Sequence, residues 1–272
     1  MNIFEEMVKA EKSFKSYAIV TVIKNDDGGT AIPGKKMIQY ADGLIVGTIG
    51  GGAFEFECIK QIEGIIAKGK GIEIITVEEI DLLVEVFEPA TTVVVIGGGH
   101  VGNALLKTLK LLPFATILID DRDDDFLNES IALADRYIKC ESYEEAILSD
   151  AVPKGAYFFS GAHKLDYDAY ALKGALQKEP AYIGMLGSQQ KVQKIFSYLL
   201  ERGVPQEDID KIFAPVGLDI ADGSPAEIAF AIVSEMLMVK NSGQGINCRD
   251  VKNKFVSSRN CGAIARPIEG DR

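Results

Sequence analysis

Thr91-Thr-Val-Val-Val-Ile-Gly-Gly-Gly-His-Val-Gly102 passes from a β-branched apolar run, Val93 to Ile96, through glycines into an amphipathic run, Val101 to Leu112. That order predicts a buried strand, a tight turn and a helix. Gly97, Gly99 and Gly102 have the spacing G-x-G-x-x-G. In this spacing the first glycine makes the turn, the second lets a pyrophosphate approach the backbone, and the third lets helix and strand pack closely. The helix start then offers free N–H groups and a partial positive charge to an anion. His100 lies inside the turn, where it either fills space or faces a ligand. A second apolar strand, Phe114 to Ile119, ends in Asp120-Asp-Arg122. An acid about 20 residues past the glycines is where a ribose-binding carboxylate belongs, so Asp120 or Asp121 is expected on the ligand.

Downstream, strand and helix patterns alternate. An acidic loop, Asp120 to Glu129, leads to strands at Tyr137 to Cys140, Ala156 to Ser160, Tyr182 to Leu186 and Lys211 to Ala214. Helices are expected at Tyr143 to Leu148, Asp166 to Gln177, Ser188 to Arg202 and Pro225 to Lys240. Such alternation means a parallel, doubly wound sheet. Upstream, the pattern is shorter and mixed. A helix over residues 2–16 carries Ile3, Phe4, Met7, Val8 and Phe14 on one side, and a strand follows at Tyr17 to Ile23. Lys36 to Tyr40 and Leu44 to Thr48 flank Ala41-Asp-Gly43, a hairpin pattern. Gly47-Thr-Ile-Gly-Gly-Gly52 then feeds a helix, Ala53 to Lys68, and makes a second glycine-rich helix start suited to an anion. A strand at Ile72 to Val77 and an acidic stretch from Glu78 to Glu88, with Pro89, close this region as its boundary. The fold class is therefore α/β: a doubly wound parallel Rossmann-like sheet over residues 91–240, with a smaller N-terminal α+β domain over residues 1–88. Residues 241–272 form a basic tail, six basic residues against three acidic ones, that is mobile or serves as a docking arm.

The bulk numbers restrict the partners. A chain of 272 residues with 47% hydrophobic and 25% charged residues has ample material for a core. A formal charge of −11 argues against nucleic acid and anionic membrane surfaces. The start, Met1-Asn-Ile-Phe-Glu-Glu, lacks the pattern of a signal peptide, and no apolar run approaches the roughly 18 residues of a membrane span. Cys58, Cys140, Cys248 and Cys261 include no C-x-x-C, so neither zinc nor a disulfide framework is indicated. A reduced, cytoplasmic protein is expected.

Three further segments fall at expected strand ends, where ligands of such sheets bind. Phe159-Ser-Gly-Ala-His163-Lys-Leu-Asp166-Tyr-Asp168 offers His163, a residue that titrates near neutrality, as a ligand group or a cap, and Asp166 as an N-cap. In Tyr182-Ile-Gly-Met-Leu-Gly-Ser188-Gln-Gln-Lys191, Ser188 suits a cap. Lys191 lies in the first helical turn, against the dipole, a placement that suits a bound anion or a solvated side chain. Ser224-Pro-Ala-Glu227 is a capping box with proline at N1, while Asp219 and Glu227 are candidates by position alone. No nucleophile elbow and no metal-ligand cluster stands out.

In their order and combination these segments resemble the xanthine dehydrogenase accessory (XdhC/CoxI) family over about residues 17–240. The matching stretches are Gly47 to Glu55, Gly97 to Gly102, Asp120 to Arg122, His163 to Asp168, Tyr182 to Lys191, Ala214 to Ile220 and Ser224 to Ala229. The resemblance implies an accessory protein that binds molybdenum cofactor, shelters it while a cysteine desulfurase replaces an oxo ligand by sulfido, and delivers it to an apo molybdenum hydroxylase. Gly50, Gly51, Gly52, Gly97, Gly99, His100, Gly102 and Ser188 would then line the cofactor. Glu55 and His163 would position the pterin or its ligands, Asp120 and Asp121 its nucleotide, and Lys191 its anion. Two departures stand out: Ala53 occupies the place of the family's usual cysteine, and Gly29-Thr-Ala-Ile-Pro33 replaces its Ser-x-Pro-Arg segment. Cys58, Cys248 and Cys261 are the remaining thiol candidates. The expected role is a non-catalytic cofactor chaperone, acting as a homodimer. The alternatives are an NAD(P)-dependent oxidoreductase with His163 as acid/base, and an interaction module whose Rossmann site holds no ligand.

Overall fold

The computed structural model describes residues 3–11, 15–26, 28–69 and 71–251. Helix α1 (Ile3–Glu11) precedes strands β1 (Tyr17–Lys24), β2 (Lys36–Tyr40) and β3 (Ile45–Gly47), helix α2 (Gly52–Ile66), and strands β4 (Gly71–Val77) and β5 (Ile80–Phe87). These strands form an antiparallel sheet in the order β3-β2-β1-β5-β4. Side chains alternate between its faces, as the strand repeat requires. Val20, Val22, Leu82, Val84 and Val86 pack with Phe54, Cys58 and Ile62 of α2. Tyr17, Ile19, Ile38 and Tyr40 line the other face with Ala10 and Met7 of α1.

The hairpin around Asp42-Gly43 forms as expected, with Met37 opposite Gly47 and Ile38 opposite Val46. The acidic boundary does not. Residues 80–87 are a strand that lies between β1 and β4 in the sheet. Its apolar residues alternate, with Leu82, Val84 and Val86 buried. The turn that launches it is concealed by its residues: Glu78 and Glu79 take φ of 48° and 64°, the left-handed pair of a two-residue hairpin that ordinarily carries Asn-Gly.

The second sheet begins with β6 (Thr91–Ile96), α3 (His100–Leu109), β7 (Phe114–Asp120), α4 (Asp124–Leu133), β8 (Arg136–Lys139) and α5 (Tyr143–Leu148). It continues with β9 (Tyr157–Ser160), α6 (Leu165–Gln177), β10 (Tyr182–Met185), α7 (Gln189–Glu201), the short α8 (Gln206–Ile209) and α9 (Pro225–Lys240). The strands are parallel and ordered β10-β9-β6-β7-β8. Val94 and Ile96 face α5, α6 and α7, while Val93 and Val95 face α3 and α9, so helices cover both sides. Chain order reverses between β6 and β9, and the crevice at their carboxyl ends is the switch point where such sheets bind ligands.

Three local expectations change. The acidic loop contains helix α4, because Asp123 caps it by accepting from Asp125 N and the acids of its first turn suit the positive end of the dipole. The strand expected at 211–214 reduces to a single bridge, Gly184 to Phe213. Helix α6 starts at Leu165 with Lys164 as its cap residue, so Asp166 lies inside the first turn. The tail beyond Val251, with Cys261 and the basic residues other than Arg249, lies outside the described residues, as does Phe14. Among the described residues no helix is long and apolar enough to cross a membrane.

A non-glycine residue in the left-handed region costs roughly 1–2 kcal/mol. Replacing Glu78→Asn and Glu79→Gly together is expected to raise the urea midpoint by an amount equivalent to about 1 kcal/mol. An unchanged or lower midpoint would rule out strain at this turn.

Candidate functional site

At the carboxyl edge of the parallel sheet, the glycine turn is built for close approach. Gly97 has φ +98°, and a Cβ there would lie 2.4 Å from Gly161 O. A Cβ on Gly102 would lie 1.9 Å from Gly97 O, so the helix can sit on the turn only with glycine at that position. Ser130 Oγ donates to Gly98 O at 2.8 Å and accepts from Asn103 Nδ2 at 2.9 Å, which fixes the loop carbonyl. Helix α3 starts at His100, with Gly99 as cap residue, no side-chain cap and no acid in its first turn. Its leading N–H groups therefore remain open, as the spacing predicts. His100 is exposed at this start, and with Gly98, Gly99, Asn103, Phe126 and Pro225 it borders a cavity of about 320 Å³. A larger cavity, about 420 Å³, lies beside the C-terminal turn of α9 and has no charged side chain in its lining.

Asp120, at the end of β7, is fully buried. Its Oδ2 accepts from Gly98 N at 2.7 Å and Arg122 Nη2 at 2.6 Å, and its Oδ1 from Arg122 N at 3.0 Å and Arg122 Nε at 2.9 Å. Burial pushes the Asp120 pKa up, but the Arg122 guanidinium and the backbone N–H groups outweigh it and hold the carboxyl below the ordinary aspartate range. In this structure the Asp120 carboxylate, expected on a ribose, braces the glycine turn. Asp121 is turned the other way. Its Oδ1 accepts from Tyr143 OH at 2.8 Å and lies 3.5 Å from His163 Nδ1, whose side chain is 30% exposed. His163 also meets Tyr167 edge-on. Asp120, Asp121 and His163 each bring one potential metal-ligand atom within 4.8 Å of the others, but the Asp120 oxygens are already bonded to Gly98 and Arg122.

Lys191, expected on a bound anion, is paired within the chain. Its Nζ lies 2.5 Å from Oδ2 of the fully buried Asp168 and donates to Leu186 O at 3.2 Å. Asp168 Oδ1 also accepts from Ser160 Oγ at 2.7 Å and Ala162 N at 3.0 Å. The lysine stands against the helix dipole because it neutralises Asp168 and ties the loop after β9 to the loop after β10. Ser188 caps α7 by accepting from Lys191 N. Ser224 caps α9, and Glu227 bonds Asp222 N at 2.8 Å, so the capping box closes on Asp222 and not on Ser224. Asp219 is exposed in the preceding loop.

The second glycine-rich helix start carries its own anion. Glu55 Oε2 accepts from Thr48 Oγ1, Ile49 N, Gly50 N and Gly51 N at 2.5–3.3 Å. Burial raises the Glu55 pKa, but these donors outweigh it and leave the group more acidic than an ordinary glutamate. Ile49, Gly50 and Gly51 thus form a nest for Glu55, and among the described residues no hydrogen bond joins this loop to the glycine turn of β6. Ala53 is exposed beside the nest. Cys58 is buried in the first core, and burial with nearby carboxylate charges pushes its thiol up to about 12. Cys140, at the end of β8, is likewise pushed up to about 12 by burial and by the Asp121 and Asp120 charges. Cys248 is exposed in a short 3₁₀ turn. Arg122, Tyr143 and Phe126 had no role assigned from sequence; Arg122 follows the expected acid directly in the motif, and only that adjacency could have marked it.

A family model described as the XdhC Rossmann domain matches residues 93–236, and one described as the XdhC and CoxI family matches residues 12–78. This chain belongs to the XdhC family. A protein of Escherichia coli (strain K12), described as the uncharacterized protein YqeB, is 28% identical over 260 residues. The match covers 90% of this chain and 47% of that protein, so the chain spans about half the length of this relative. A solved structure described as a xanthine dehydrogenase from Bacillus halodurans is 16% identical, with 90% of this chain and 97% of that one covered and a TM-score of 0.48. A Streptomyces aurantiacus imine reductase is also 16% identical, over 54% of this chain and 61% of its own, with a TM-score of 0.32.

Two outcomes test this geometry. Lys191→Ala leaves Asp168 buried and unpaired, so a loss of roughly 3–5 kcal/mol in urea unfolding is expected. Adding Asp168→Asn should recover much of that loss, whereas a solvated Lys191 would give no loss at all. For Glu55 the folded pKa is depressed, so its contribution is fully present above the ordinary value of 4.5 and is lost as pH falls through the lower folded value. The stability gap between wild type and Glu55→Gln should therefore be open at pH 7 and narrow below about pH 4. A pH-independent gap would show that the nest does not depend on the carboxylate charge.

Proposed function

We propose that this chain is an accessory protein that binds molybdenum cofactor at the carboxyl edge of the parallel sheet. It assists the cofactor's sulfuration or its insertion into an apo-hydroxylase of the xanthine dehydrogenase type. One observation carries the reading: among the described residues the Gly99 N–H at the switch point has no acceptor and α3 has no acid in its first turn, while before α2 the Gly50 and Gly51 N–H groups are taken by Glu55. Membership of the XdhC family supplies the kind of client. Molybdenum cofactor carries a phosphate, and a helix start with no side-chain cap and no acid in its first turn suits such a group. Gly99 and the first turn of α3 hold the phosphate, and Arg122 lies beside it; His163 and His100 flank the ring system. Bound cofactor supplies the redox and oxygen or sulfur chemistry of the client enzyme. The residues of this chain bind, orient and shield it.

Sulfur transfer is assigned to a partner cysteine desulfurase. Neither Cys58 nor Cys140 supports a thiolate relay, since both thiols are pushed up to about 12. A second copy of the chain is the further expected partner. The Asp121–His163 contact favours a second reading, an NAD(P)-dependent oxidoreductase in which His163 exchanges a proton. Oxidation of NADH or NADPH by the purified chain with a small carbonyl or imine acceptor would establish that reading instead.

The first test is the small-molecule content of protein purified from cells that make molybdenum cofactor, by molybdenum analysis and fluorescence of the oxidised pterin. Near-stoichiometric pterin is expected, and its absence would sink the reading. Gly99→Asp provides the matched control. Gly99 has an ordinary extended backbone, φ −69°, and aspartate is a favoured cap residue, so the fold should hold while the carboxylate occupies the anion site. At least a tenfold drop in pterin content at unchanged Tm is expected.

A further inference from the structure

Building on the reading above, in which the glycine turn receives a phosphate-bearing ligand, we propose that Arg122 selects that ligand, so that the site takes a terminal phosphomonoester in preference to a bare hydroxyl. At the end of the second strand of a Rossmann sheet, an acid accepts from a ribose 2′-hydroxyl, whereas an arginine accommodates a 2′-phosphate. This chain has both residue types there, and the geometry ranks them. A carboxylate offers about four lone-pair sites. Those of Asp120 accept from Gly98 N and from Arg122 N, Nε and Nη2, and the side chain is fully buried, so nothing remains for a ligand hydroxyl.

Arg122 is committed along one edge only. Its Nε and Nη2 grip Asp120, and among the described residues Nη1 has no hydrogen-bond partner. Nη1 and Nη2 lie 3.5 and 3.6 Å from the place a Cβ on Gly99 would occupy, so the guanidinium lies directly against the open glycine turn. The Phe126 ring, 4.9 Å from Arg122 Cζ, supports its plane. A guanidinium held by one edge in this way presents the other as a planar fork, the geometry that takes two phosphate oxygens. Glu129, which borders the same cavity as Phe126, pairs with Lys107, and three other neighbouring acids are engaged elsewhere. Asp121 is bound by Tyr143 and faces His163, Asp123 caps α4, and Asp124 pairs with Lys139 and Tyr137.

A phosphomonoester in this position can come from a 2′-phosphorylated nucleotide or from a phosphorylated pterin. Two matched pairs separate these sources: 2′,5′-ADP against 5′-AMP, and 6-hydroxymethylpterin phosphate against 6-hydroxymethylpterin. Titration calorimetry on the full chain, freed of bound small molecules, should show at least tenfold tighter binding of the phosphorylated member in one pair. The pair that shows it identifies the source. In Arg122→Gln the preference should shrink to within threefold. Because that variant strands the buried Asp120, the double variant Asp120→Asn/Arg122→Gln is made alongside. The amide oxygen it introduces in place of the carboxylate can still accept from Gly98 N, and the same loss of preference is expected. Equal binding within both pairs, no binding to any of the four probes, or a preference that survives in the double variant would overturn the assignment. Pterin in the purified protein without any phosphomonoester preference removes Arg122 from the reading and leaves the accessory role standing. A preference without pterin does the reverse.

Discussion

A carboxylate with no exposed surface is tolerated only when it is paired and hydrogen-bonded, and the carboxyl edge of this sheet is organised by that requirement at Asp120. By drawing in Gly98 N on one side and the Arg122 guanidinium on the other, it locks the end of β7 to the glycine turn. The same bonds fix the plane of Arg122, a side chain that would otherwise lose considerable rotamer freedom on ordering. Asp168 repeats the device one strand away. It holds the loop after β9 through Ser160 and Ala162, and the loop after β10 through Lys191. Two buried acids thus set the shape of the crevice from below, without either being presented to a ligand.

Glu55 completes the set in the antiparallel half of the chain. Orphan N–H groups at a helix start attract an anion from any source, and the nearest one here is four residues along the same chain from Gly51. Once Glu55 occupies its own nest, that loop is electrostatically satisfied. The α3 start has no acid in its first turn, and the carboxylate that bonds its glycine turn, Asp120, takes Gly98 N and not the Gly99 N–H.

Thiol chemistry is decided by burial. Cys58 recurs at helical spacing with Phe54, Ile62 and Ile65, and all four pack into one core, where the thiolate is disfavoured by desolvation and by Glu78, Glu55 and Glu57. The exposed position beside the nest is Ala53.

The sequence by itself determined the architecture of the second sheet. Val93 to Ile96, the glycine spacing and the regular alternation of apolar runs admit few topologies, because parallel strands require helical crossovers. It also determined the caps at Ser188 and Ser224, since these depend on neighbours within four residues. Strand β5 and helix α4 were masked by acidic residues that serve a left-handed turn and a helix dipole, local roles that composition alone presents as linker and loop. The partners of Asp120, Lys191 and Glu55 were decided by tertiary structure or by loop closure. Gly98 and Asp120 are 22 residues apart, and Asp168 and Lys191 belong to helices on different strands' crossovers. Whether a charged residue meets a ligand or another residue depends on which unpaired group folding brings nearest, and that distance is not written in any single stretch of the chain.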